Sequence, residues 1–405
     1  MRYDVAVIGG GAAGLMAAGT AVKAGKKVAL IEKNRVLAKK VRITGKGRCN
    51  VTNICDAEEF LENVLNGKKF LYSAFSKFSN YDCIAFFEDL GVPMKTERGG
   101  RVFPVSDSAH DVAQALIRYA EGAEILRESR VLGIEVVGGK ASGVRLASGV
   151  VAADSVIIAT GGLSYPGTGS TGDGYKWAED LGHKVVTPKG SLVPLEVAEE
   201  WVAELEGLSL RNVGMKLVSD KGIVYENRCG EMLFTSFGVS GPLVLSVSAH
   251  LGDINGGVKM VIDLKPALSE EVLDARLLRD FGESANKDFV NIMPNLVPRR
   301  LVARLVEMSG IDPRKKANQV TRQERTNLVR CLKGIELTVT GMRPISEAIV
   351  TAGGVDLGEI NPSTMESKLV EGLFFAGEVM DLDAYTGGFN LQIAFSTGFV
   401  AGMES

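Results

Sequence analysis

The sequence of 405 residues has little histidine, cysteine and proline, and each shortage argues against a class of protein. Its three histidines, His110, His183 and His250, stand far apart, which disfavours a histidine-based zinc site and a Ser-His-Asp hydrolase. The five cysteines form no C-x-x-C pair, so we expect reduced thiols of a cytoplasmic protein rather than a disulfide framework. No stretch approaches the ~18 consecutive apolar residues of a membrane span, and the first residues have no signal-peptide pattern, so we predict no membrane partner.

The charges are nearly balanced, whereas glycine is in excess. With 46 basic and 49 acidic residues the net charge is −3, so the chain as a whole gives no reason to expect nucleic-acid binding. Glycine contributes 48 of the 405 residues, about 12%, where about 7% is usual. Since there are 12 prolines and no collagen period, we expect these glycines in turns and at close backbone approaches.

The first glycine cluster lies inside a pattern that is typical of a βαβ unit. Tyr3–Ile8 is a short apolar run that predicts a buried strand. The residues GGGAAG at 9–14 follow it, and then come a helical stretch, Leu15–Ala24, and a second strand, Lys27–Ile31. Glu32 stands at the end of that strand. This order predicts a Rossmann-type dinucleotide site.

Each residue of this motif has a defined task in dinucleotide binding. Gly9 permits the tight turn, Gly11 lets a pyrophosphate approach the backbone, and Gly14 allows the helix to pack closely on the strand. The helix N-terminus offers N–H groups and a positive dipole to the phosphates. Glu32 can accept hydrogen bonds from ribose hydroxyls, for which an ordinary glycine-rich turn would have no need.

Two distant segments favour FAD over NAD as the resident dinucleotide. VIIATGG (156–162) and GLFFAGE (372–378) are apolar strands that run into small residues, and an extended FAD needs contacts from both ends of such a chain. GGFN (387–390) opens a further helical stretch whose N-terminus would point at the flavin. A second GxGxxG is absent, because Lys140 replaces a required glycine at 138–143. We therefore expect NAD(P)H only as a transient electron donor.

Between these segments lies the basic, glycine-rich loop ITGKGRCNVTN (43–53), preceded by KKVR at 39–42. Such a loop can hold an anionic cofactor or place positive charge beside a reduced flavin, although a solvated basic loop has the same composition. Cys49 in this loop is either a proton donor or a buried structural thiol. The run YPGTGSTGDG (165–174) resembles a flavin-contacting turn of fumarate-reductase-like enzymes, or it is an ordinary turn.

The middle of the chain changes character. Short β-prone runs over 191–265 indicate an inserted β-domain, and Pro266 begins a helical, charged region. Within that region, residues 299–333 carry ten cations and three acids, 10 − 3 = +7, which indicates an RNA-facing surface or a solvated helix face. We predict an FAD-binding domain at 1–189 and 346–405, a β-barrel domain at 190–265 and 334–345, and a helical subdomain at 266–333.

Longer segments along the whole chain carry a resemblance to a known family. They are ITGKGRCNVTN (43–53), GRVFP (100–104), ATGG (159–162), TGSTGDGY (168–175), SLVPLE (191–196), GEMLFTSFGVSGP (230–242), TAGGV (351–355), TMESKLVEGLFFAGEVMD (364–381) and YTGGFNLQIAFSTG (385–398). The chain resembles the YhiN/BaiN-like family of FAD-dependent oxidoreductases, with aminoacetone-oxidase-type and rRNA dihydrouridine synthase-type members. One position departs from the family's FTH-x-G-x-SGP motif. Ser236 stands where histidine is usual, and a serine can orient a substrate or water but is no substitute for imidazole in proton transfer.

The resemblance implies an α/β fold with a discontinuous Rossmann-like FAD-binding domain of the glutathione-reductase type, an inserted β-barrel and a small helical subdomain. It implies one of three chemistries. These are NAD(P)H-driven reduction of C=C bonds in bile-acid enones, reduction of uridine to dihydrouridine in large-subunit ribosomal RNA, and oxidation of an amine by O₂ with release of H₂O₂. We place the reduction of an activated C=C bond first, and the basic stretch 299–333 favours rRNA over a small-molecule steroid. An amine oxidase and a non-catalytic, FAD-bound RNA-binding or assembly factor are the alternatives.

The predicted site combines residues from these segments, with no metal, and the oligomeric state is left open. For catalysis we select Cys49, Glu378 and Asn390. The predicted FAD contacts are Gly9, Gly10, Gly11, Ala12, Ala13, Gly14, Glu32, Lys33, Lys40, Thr44, Gly45, Gly47, Arg48, Cys49, Asn50, Val131, Ala159, Thr160, Gly161, Gly162, Asp173, Gly377, Glu378, Asp381, Gly388, Phe389 and Asn390.

Overall fold

The computed structural model of the protein describes residues 2–220, 222–251 and 257–405. The chain separates into two compact units. The first unit comprises Met1–Ser191 and Pro344–Ser405, and the second comprises Leu192–Arg343. Among the helices of the described residues, none has both the length and the hydropathy that a membrane span requires.

The first unit contains strands and helices from both ends of the chain. Its N-terminal part consists of β1 (Arg2–Ile8), α1 (Ala12–Lys23), β2 (Val28–Ile31), β3 (Thr52–Asn53), α2 (Ala57–Glu62), β4 (Val64–Asn66), α3 (Lys68–Lys77), α4 (Asn80–Asp89), β5 (Met94–Glu97), β6 (Arg101–Pro104), α5 (Ala109–Tyr119), β7 (Glu124–Leu126), β8 (Val131–Val137), β9 (Lys140–Leu146), β10 (Gly149–Ile158), α6 (Asp173–Asp180) and β11 (Val185–Ser191).

The second unit is formed by an unbroken segment, after which the chain returns to the first unit. The second unit contains β12 (Leu195–Val197), β13 (Ser209–Ser219), β14 (Gly222–Thr235), β15 (Gly238–Ser240), α7 (Pro242–Ser248), β16 (Lys259–Asp263), α8 (Glu270–Glu283), α9 (Arg299–Ser309), α10 (Arg322–Lys333) and β17 (Ile335–Met342). The first unit is completed by β18 (Val350–Val355), β19 (Leu373–Phe375), β20 (Asp383–Ala384) and α11 (Phe389–Glu404).

A seven-stranded sheet forms the centre of the first unit, with the order β7-β2-β1-β10-β9-β8 and β19 paired to β10. The strands β7, β2, β1, β10 and β19 run parallel. In this register Ile8 lies opposite both Ile31 and Ile158, and Ile158 lies opposite Phe375. The carboxyl ends of four neighbouring strands therefore meet at one edge of the sheet, where α/β folds bind their ligands.

The helices α1 and α11 pack closely against each other beside this sheet. α1 begins at Ala12, three residues earlier than the predicted start at Leu15, because the small residues of the glycine motif already form its first turn. It packs on the C-terminal helix so closely that a Cβ atom added at Gly398 would lie 2.4 Å from the carbonyl oxygen of Ala13. Close packing of this kind fixes the start of α1 relative to α11.

The second unit combines a barrel with three longer helices. Its strands close in the order β12-β15-β14-β13-β16-β17, with β12 also paired to β17, so no barrel edge is left open. Ser236, which replaces the expected histidine, lies exposed in the turn between β14 and β15. The helices share the apolar core of the barrel through fully buried leucines, Leu273, Leu277, Leu301, Leu305, Leu328 and Leu332. The predicted α/β architecture, a discontinuous Rossmann-like domain with an inserted barrel and helical subdomain, is thereby confirmed.

Candidate cofactor site

The predicted motifs follow directly after the four strand ends. Gly9 comes after β1, Glu32 after β2, Ala159 after β10 and Ala376 after β19. The backbone links these ends, since Ala159 N–H donates to Ile8 O (2.9 Å) and Ala376 N–H donates to Ile158 O (3.0 Å). The structure thus brings together, at one sheet edge, segments that lie more than 300 residues apart.

Glu32 is held in place by the glycine motif itself. Its side chain is buried, and Oε2 accepts a hydrogen bond from Gly10 N–H at 2.7 Å. Oε1 accepts two more, from the backbone N–H and the side-chain amide of Asn34, at 2.7 and 2.8 Å. A carboxylate has about four acceptor positions, so one remains on Oε2 for a ribose hydroxyl. The sheet edge therefore presents an oriented acceptor where the adenosine ribose is predicted to bind.

Two glycines of the motif have opposite surroundings. A Cβ atom added at Gly14 would lie 1.8 Å from the carbonyl oxygen of Gly9, so this glycine is required by helix-strand packing. A Cβ added at Gly11 would meet nothing within 4 Å. Gly11 is the N-cap of α1, which means that open space lies directly at the positive end of that helix. This space fits a pyrophosphate.

Lys33 and Asp173, both predicted FAD contacts, form an ion pair with each other at 2.6 Å. Asp173 begins α6 and also accepts a hydrogen bond from Thr171, while the guanidinium of Arg130 lies 3.7 Å away. Burial raises the pKa of Asp173, but these donors outweigh it and keep the pKa below the ordinary value. The pair ties the end of β2 to the TGDG turn. Val131, another predicted FAD contact, follows Arg130 in the sequence and begins β8.

A second, more extensive network joins Lys40 to Glu378. The ammonium of Lys40 donates to Glu378 Oε2 at 2.8 Å and to Ser164 Oγ at 2.6 Å. The other oxygen of Glu378 accepts from Ser164 Oγ (2.9 Å) and from Thr351 N–H (2.8 Å). Thr351 in turn accepts from the backbone N–H of Leu163. One lysine thus connects the basic loop, the ATGG turn, β18 and the AGE turn.

Sequence reasoning did not include Ser164 and Thr351 among the site residues. Both side chains are fully buried, and each contacts a partner at least 124 positions away. The available signal was their place in or near the motifs, since Thr351 begins TAGGV and Ser164 lies two residues after ATGG. Periodicity and local spacing carry no information on such distant polar contacts.

The loop Thr44–Asn50 has an unusual backbone. Lys46 and Cys49 have φ values of 58° and 61°, a left-handed conformation that costs a residue other than glycine about 1–2 kcal/mol. The turn is closed by Cys49 N–H, which donates to Thr44 O at 3.0 Å. The chain therefore folds back on itself, with Gly45 and Gly47 also at positive φ.

Arg48 in this loop has its side chain bound elsewhere. Its guanidinium forms ion pairs with Glu97 and with Asp107, the latter at 2.6 Å, and lies over the ring of Phe103 at 4.3 Å. The hydrogen bond from Arg48 keeps the pKa of Glu97 below its ordinary value. The two carboxylates compensate the charge of Arg48, and its contact with FAD remains a prediction.

Two buried polar atoms at the predicted site lack a partner in the protein. Asn50 Oδ1 and Thr160 Oγ1 are among four buried side-chain polar atoms, within the described residues, that make no hydrogen bond. A buried acceptor or hydroxyl without a partner costs about 1–3 kcal/mol, so such atoms usually mark a missing ligand or water. Together with the space at Gly11 and the free acceptor position on Glu32, they fit a dinucleotide with hydroxyls and a polar ring system.

Comparison with known proteins assigns the chain to a family. Residues 3–404 match the family described as HI0933-like protein Rossmann domain. The chain belongs to the HI0933-like family. The ribosomal RNA dihydrouridine synthase of Escherichia coli (strain K12) is 30% identical over 405 residues, which cover 100% of this chain and 98% of that protein. The 3-dehydro-bile acid delta(4,6)-reductase of Clostridium scindens is 31% identical over 413 residues, with 98% of both chains covered.

A solved structure shares the fold of this HI0933-like protein. It is the 3-ketosteroid-delta4-(5alpha)-dehydrogenase of Rhodococcus jostii RHA1, with a TM-score of 0.55 at 15% identity. The likeness covers 100% of this chain and 96% of that structure. The family match, the relatives and the site make this protein a Rossmann-fold, FAD-dependent oxidoreductase.

The structure places the three predicted catalytic residues of this HI0933-like protein in different environments. Glu378 lies in the Lys40 network. Cys49 is completely buried in the core, and burial raises the pKa of its thiol to about 12. Proton donation by Cys49 remains a prediction, and the burial of the thiol disfavours it. The alternative that the sequence left open, a structural thiol, agrees better with this burial.

Asn390 has its side-chain amide bound to the protein. Its Oδ1 accepts from Ala384 N–H at 3.0 Å, and its Nδ2 donates to the carbonyl oxygens of Ala384 (2.7 Å) and Tyr385 (3.2 Å). These bonds fix β20 against the first turn of α11, which begins at Phe389 after the N-cap Gly388. Asn390 therefore positions the start of α11, and its roles in catalysis and in FAD binding remain predictions.

Carboxylates beyond β18 and β19 add negative charge near this helix start. Asp381 Oδ1 accepts from Gly353 N–H at 3.0 Å, and burial raises the pKa of Asp381. Asp383 is 3% exposed and accepts from Ser191 Oγ at 2.7 Å. Burial raises the pKa of Asp383 to about 6, the Ser191 bond opposes the rise, and the charges of Asp381 and Glu378 add to it.

We expect Asp383→Asn to change how stability depends on pH. Because its folded pKa of about 6 exceeds the ordinary 3.8, the contribution of Asp383 is fully present below pH 3.8 and is lost as the pH rises through about 6. A shift of about 2 pKa units corresponds to about 3 kcal/mol. Relative to the variant, the wild-type protein should lose about that much unfolding free energy between pH 4 and pH 7, measured by urea denaturation without FAD.

Asp356→Asn is the matched control for this experiment. The hydrogen bond from Lys184 lowers the pKa of Asp356, so stability due to Asp356 is lost as the pH falls rather than as it rises. That loss occurs below pH 3.8, so between pH 4 and pH 7 the stability difference between wild type and Asp356→Asn should stay nearly constant. Parallel pH profiles for wild type and Asp383→Asn would show that Asp383 ionises normally in the folded protein.

Proposed function

We propose that this protein uses NAD(P)H to reduce the C=C bond of uridine in large-subunit ribosomal RNA to give dihydrouridine. The observation that carries the proposal is the full-length similarity to two curated relatives whose names indicate related reactions. A dihydrouridine synthase and a bile-acid delta(4,6)-reductase both saturate a C=C bond conjugated to a carbonyl group. A common reaction on an electron-poor C=C bond is therefore supported more strongly than either substrate.

The reaction needs one hydride and one proton for each double bond. When bound, FAD would supply the hydride-transfer chemistry that links oxidation of NAD(P)H to reduction of the conjugated C=C bond. The proton on the α-carbon comes from solvent or from an acid of the protein. The overall change is NAD(P)H, H⁺ and the C=C compound to NAD(P)⁺ and the saturated product.

The protein's own residues would hold and tune the cofactor. Glu32 and the space at Gly11 fit the adenosine ribose and the pyrophosphate. Lys40 and Glu378 fix three turns of the site relative to one another. The N-terminus of the 16-residue helix α11, with the N-cap Gly388, would stabilise negative charge on the reduced ring through its dipole.

A bile-acid or steroid enone is the second candidate substrate. The observation in its favour is the 31% identity with the bile-acid reductase over nearly the whole chain. The same hydride and proton transfers would reduce it, so the two candidates differ in substrate binding rather than in chemistry.

Nucleoside analysis of ribosomal RNA would test the proposal. A strain lacking this protein should lose one dihydrouridine from large-subunit rRNA by mass spectrometry, and plasmid-borne wild type should restore it. The purified protein with FAD and NADPH should then form dihydrouridine in that rRNA without oxygen. Unchanged dihydrouridine in the deletion strain, together with turnover of an enone, would replace the first candidate by the second.

The same preparation separates the two other hypotheses. An amine oxidase would consume O₂ and release H₂O₂ with an amine, and its flavin would need no NADPH. A non-catalytic RNA-binding factor would show no bleaching of the flavin by NADPH, with or without RNA. Either result would contradict the reductase proposal.

A further inference from the structure

In the structure, some cations of the basic stretch 299–333 bind partners in the protein and others do not. Over the whole helical region 266–333 the excess is smaller than in the stretch alone, 13 − 9 = +4. Six of the ten cations in 299–333 bind partners within the second unit. They are Lys315 with Glu324, Lys316 with Asp288, Arg325 with Asp274, Lys333 with Asp263, Arg304 with Glu307, and Arg300 with the carbonyl oxygens of Glu204 and Glu206.

Four arginines of the stretch keep their charge available. Within the described part of the chain, the guanidinium groups of Arg299, Arg314, Arg322 and Arg330 make no ion pair. Arg322 and Arg330 are both exposed and belong to the same helix, α10. They are eight residues apart, which is two i,i+4 steps along one side of the helix, about 12 Å along the axis, with Thr326 between them.

The face between these two arginines is polar and contains no carboxylate. Gln323, Thr326 and Asn327 lie on it, and Gln323 donates to Asn327 Oδ1 at 3.2 Å. Glu324 is the single acid of α10, and it is occupied by the capping box with Thr321 and the ion pair with Lys315.

One acid of a neighbouring helix also faces this surface. Asp274 on α8 interacts electrostatically with Arg322 as well as with Arg325. Both oxygens of Asp274 accept hydrogen bonds from Arg325, at 2.5 and 3.1 Å. Because Arg325 already balances the single negative charge of Asp274, the positive charge of Arg322 is not compensated by it.

We propose that this face of α10, Arg322, Gln323, Thr326, Asn327 and Arg330, binds the sugar-phosphate backbone of the RNA substrate. The inference rests on the proposed function, since it requires an RNA substrate. Two free guanidinium groups suit phosphates, and amide and hydroxyl side chains suit ribose hydroxyls. If the partner were an acidic protein instead of RNA, its interface would be expected to include apolar side chains between the cations. This face of α10 exposes none.

The salt dependence of RNA binding by the FAD-loaded protein tests this surface. The probe is in vitro transcribed large-subunit rRNA, titrated between 50 and 200 mM KCl. Because each phosphate contact contributes about 0.7–0.9 to the slope of log K against log salt, Arg322→Gln with Arg330→Gln should reduce that slope by about 1.5. The affinity of the double variant should fall about tenfold at 150 mM KCl.

Lys316→Gln is the matched control, because this cation lies in the same stretch but is paired with Asp288 at 2.7 Å. The RNA affinity of Lys316→Gln and the slope of its salt dependence should remain close to the wild-type values. Far-UV circular dichroism and FAD content show whether each variant is folded.

The outcomes separate this inference from the function on which it rests. Wild-type binding by the double variant, in a protein that forms dihydrouridine, would overturn the assignment of α10 and leave the function intact. Equal losses of RNA affinity in the double variant and in Lys316→Gln would also overturn it. The losses would then reflect the overall charge of the protein rather than contacts made by α10. A wild-type protein that neither binds this rRNA nor reduces it would overturn both.

Discussion

Gly11→Val is expected to lower the affinity for FAD about a hundredfold, which is about 2.7 kcal/mol, while the FAD-free protein still folds. Gly11 has φ −88° and ψ −163°, an extended conformation that any residue adopts. A Cβ at this position meets nothing within 4 Å of the protein. The added side chain therefore occupies the space at the helix N-terminus that the pyrophosphate needs. Titration of FAD into the cofactor-free protein measures the effect.

The stability of the Gly11 variant should change little. Valine is a poorer N-cap than glycine, which costs about 1 kcal/mol or less in urea denaturation. Gly14→Ala provides the contrast, because its Cβ would lie 1.8 Å from the carbonyl oxygen of Gly9. We expect Gly14→Ala to lose about 3 kcal/mol of stability with or without FAD. Normal FAD binding by Gly11→Val would show that the cofactor does not lie at this helix start.

Lys40→Met is expected to destabilise the FAD-free protein by about 2–3 kcal/mol. The side chains of Lys40 and Glu378 are 23% and 20% exposed, so removal of the lysine leaves a largely desolvated carboxylate without its counter-charge. Breaking a fully buried pair costs about 3–5 kcal/mol, and the residual exposure reduces this value. Urea denaturation at pH 7 measures the difference.

A double-mutant cycle shows whether the effect arises from the pair. Lys40→Met combined with Glu378→Leu removes both charges, and its stability should exceed that of Lys40→Met alone. Lys39→Met is the control, because exposed Lys39 donates to the carbonyl oxygen of Gly167 and should cost less than about 1 kcal/mol. Additive losses in the cycle would mean that Lys40 and Glu378 do not interact in solution.

The strand-glycine-helix pattern allowed the sheet edge to be predicted because its physical determinants are local. Apolar runs predict β1 and β2, and the glycine spacing predicts the tight turn and the close helix. The same reasoning placed Glu32 correctly at the end of β2, where it binds Gly10 N–H. That ATGG and AGE contact the same cofactor as this motif was inferred from the length of an extended FAD, which needs contacts from both ends of the chain, rather than from a local rule.

The sequence by itself determined the glycine turn and the acid that follows β2, since both depend on neighbours within about 30 residues. It also determined the fold class, through motifs spread along the whole chain. Only the tertiary structure decided which charged and polar groups are free. Arg48 is neutralised by Glu97 and Asp107, and five of the ten cations of 299–333 form ion pairs, whereas Arg322 and Arg330 do not. The physical reason is that ion pairs and buried hydrogen bonds form between groups that folding brings together, and composition counts charges without showing their partners.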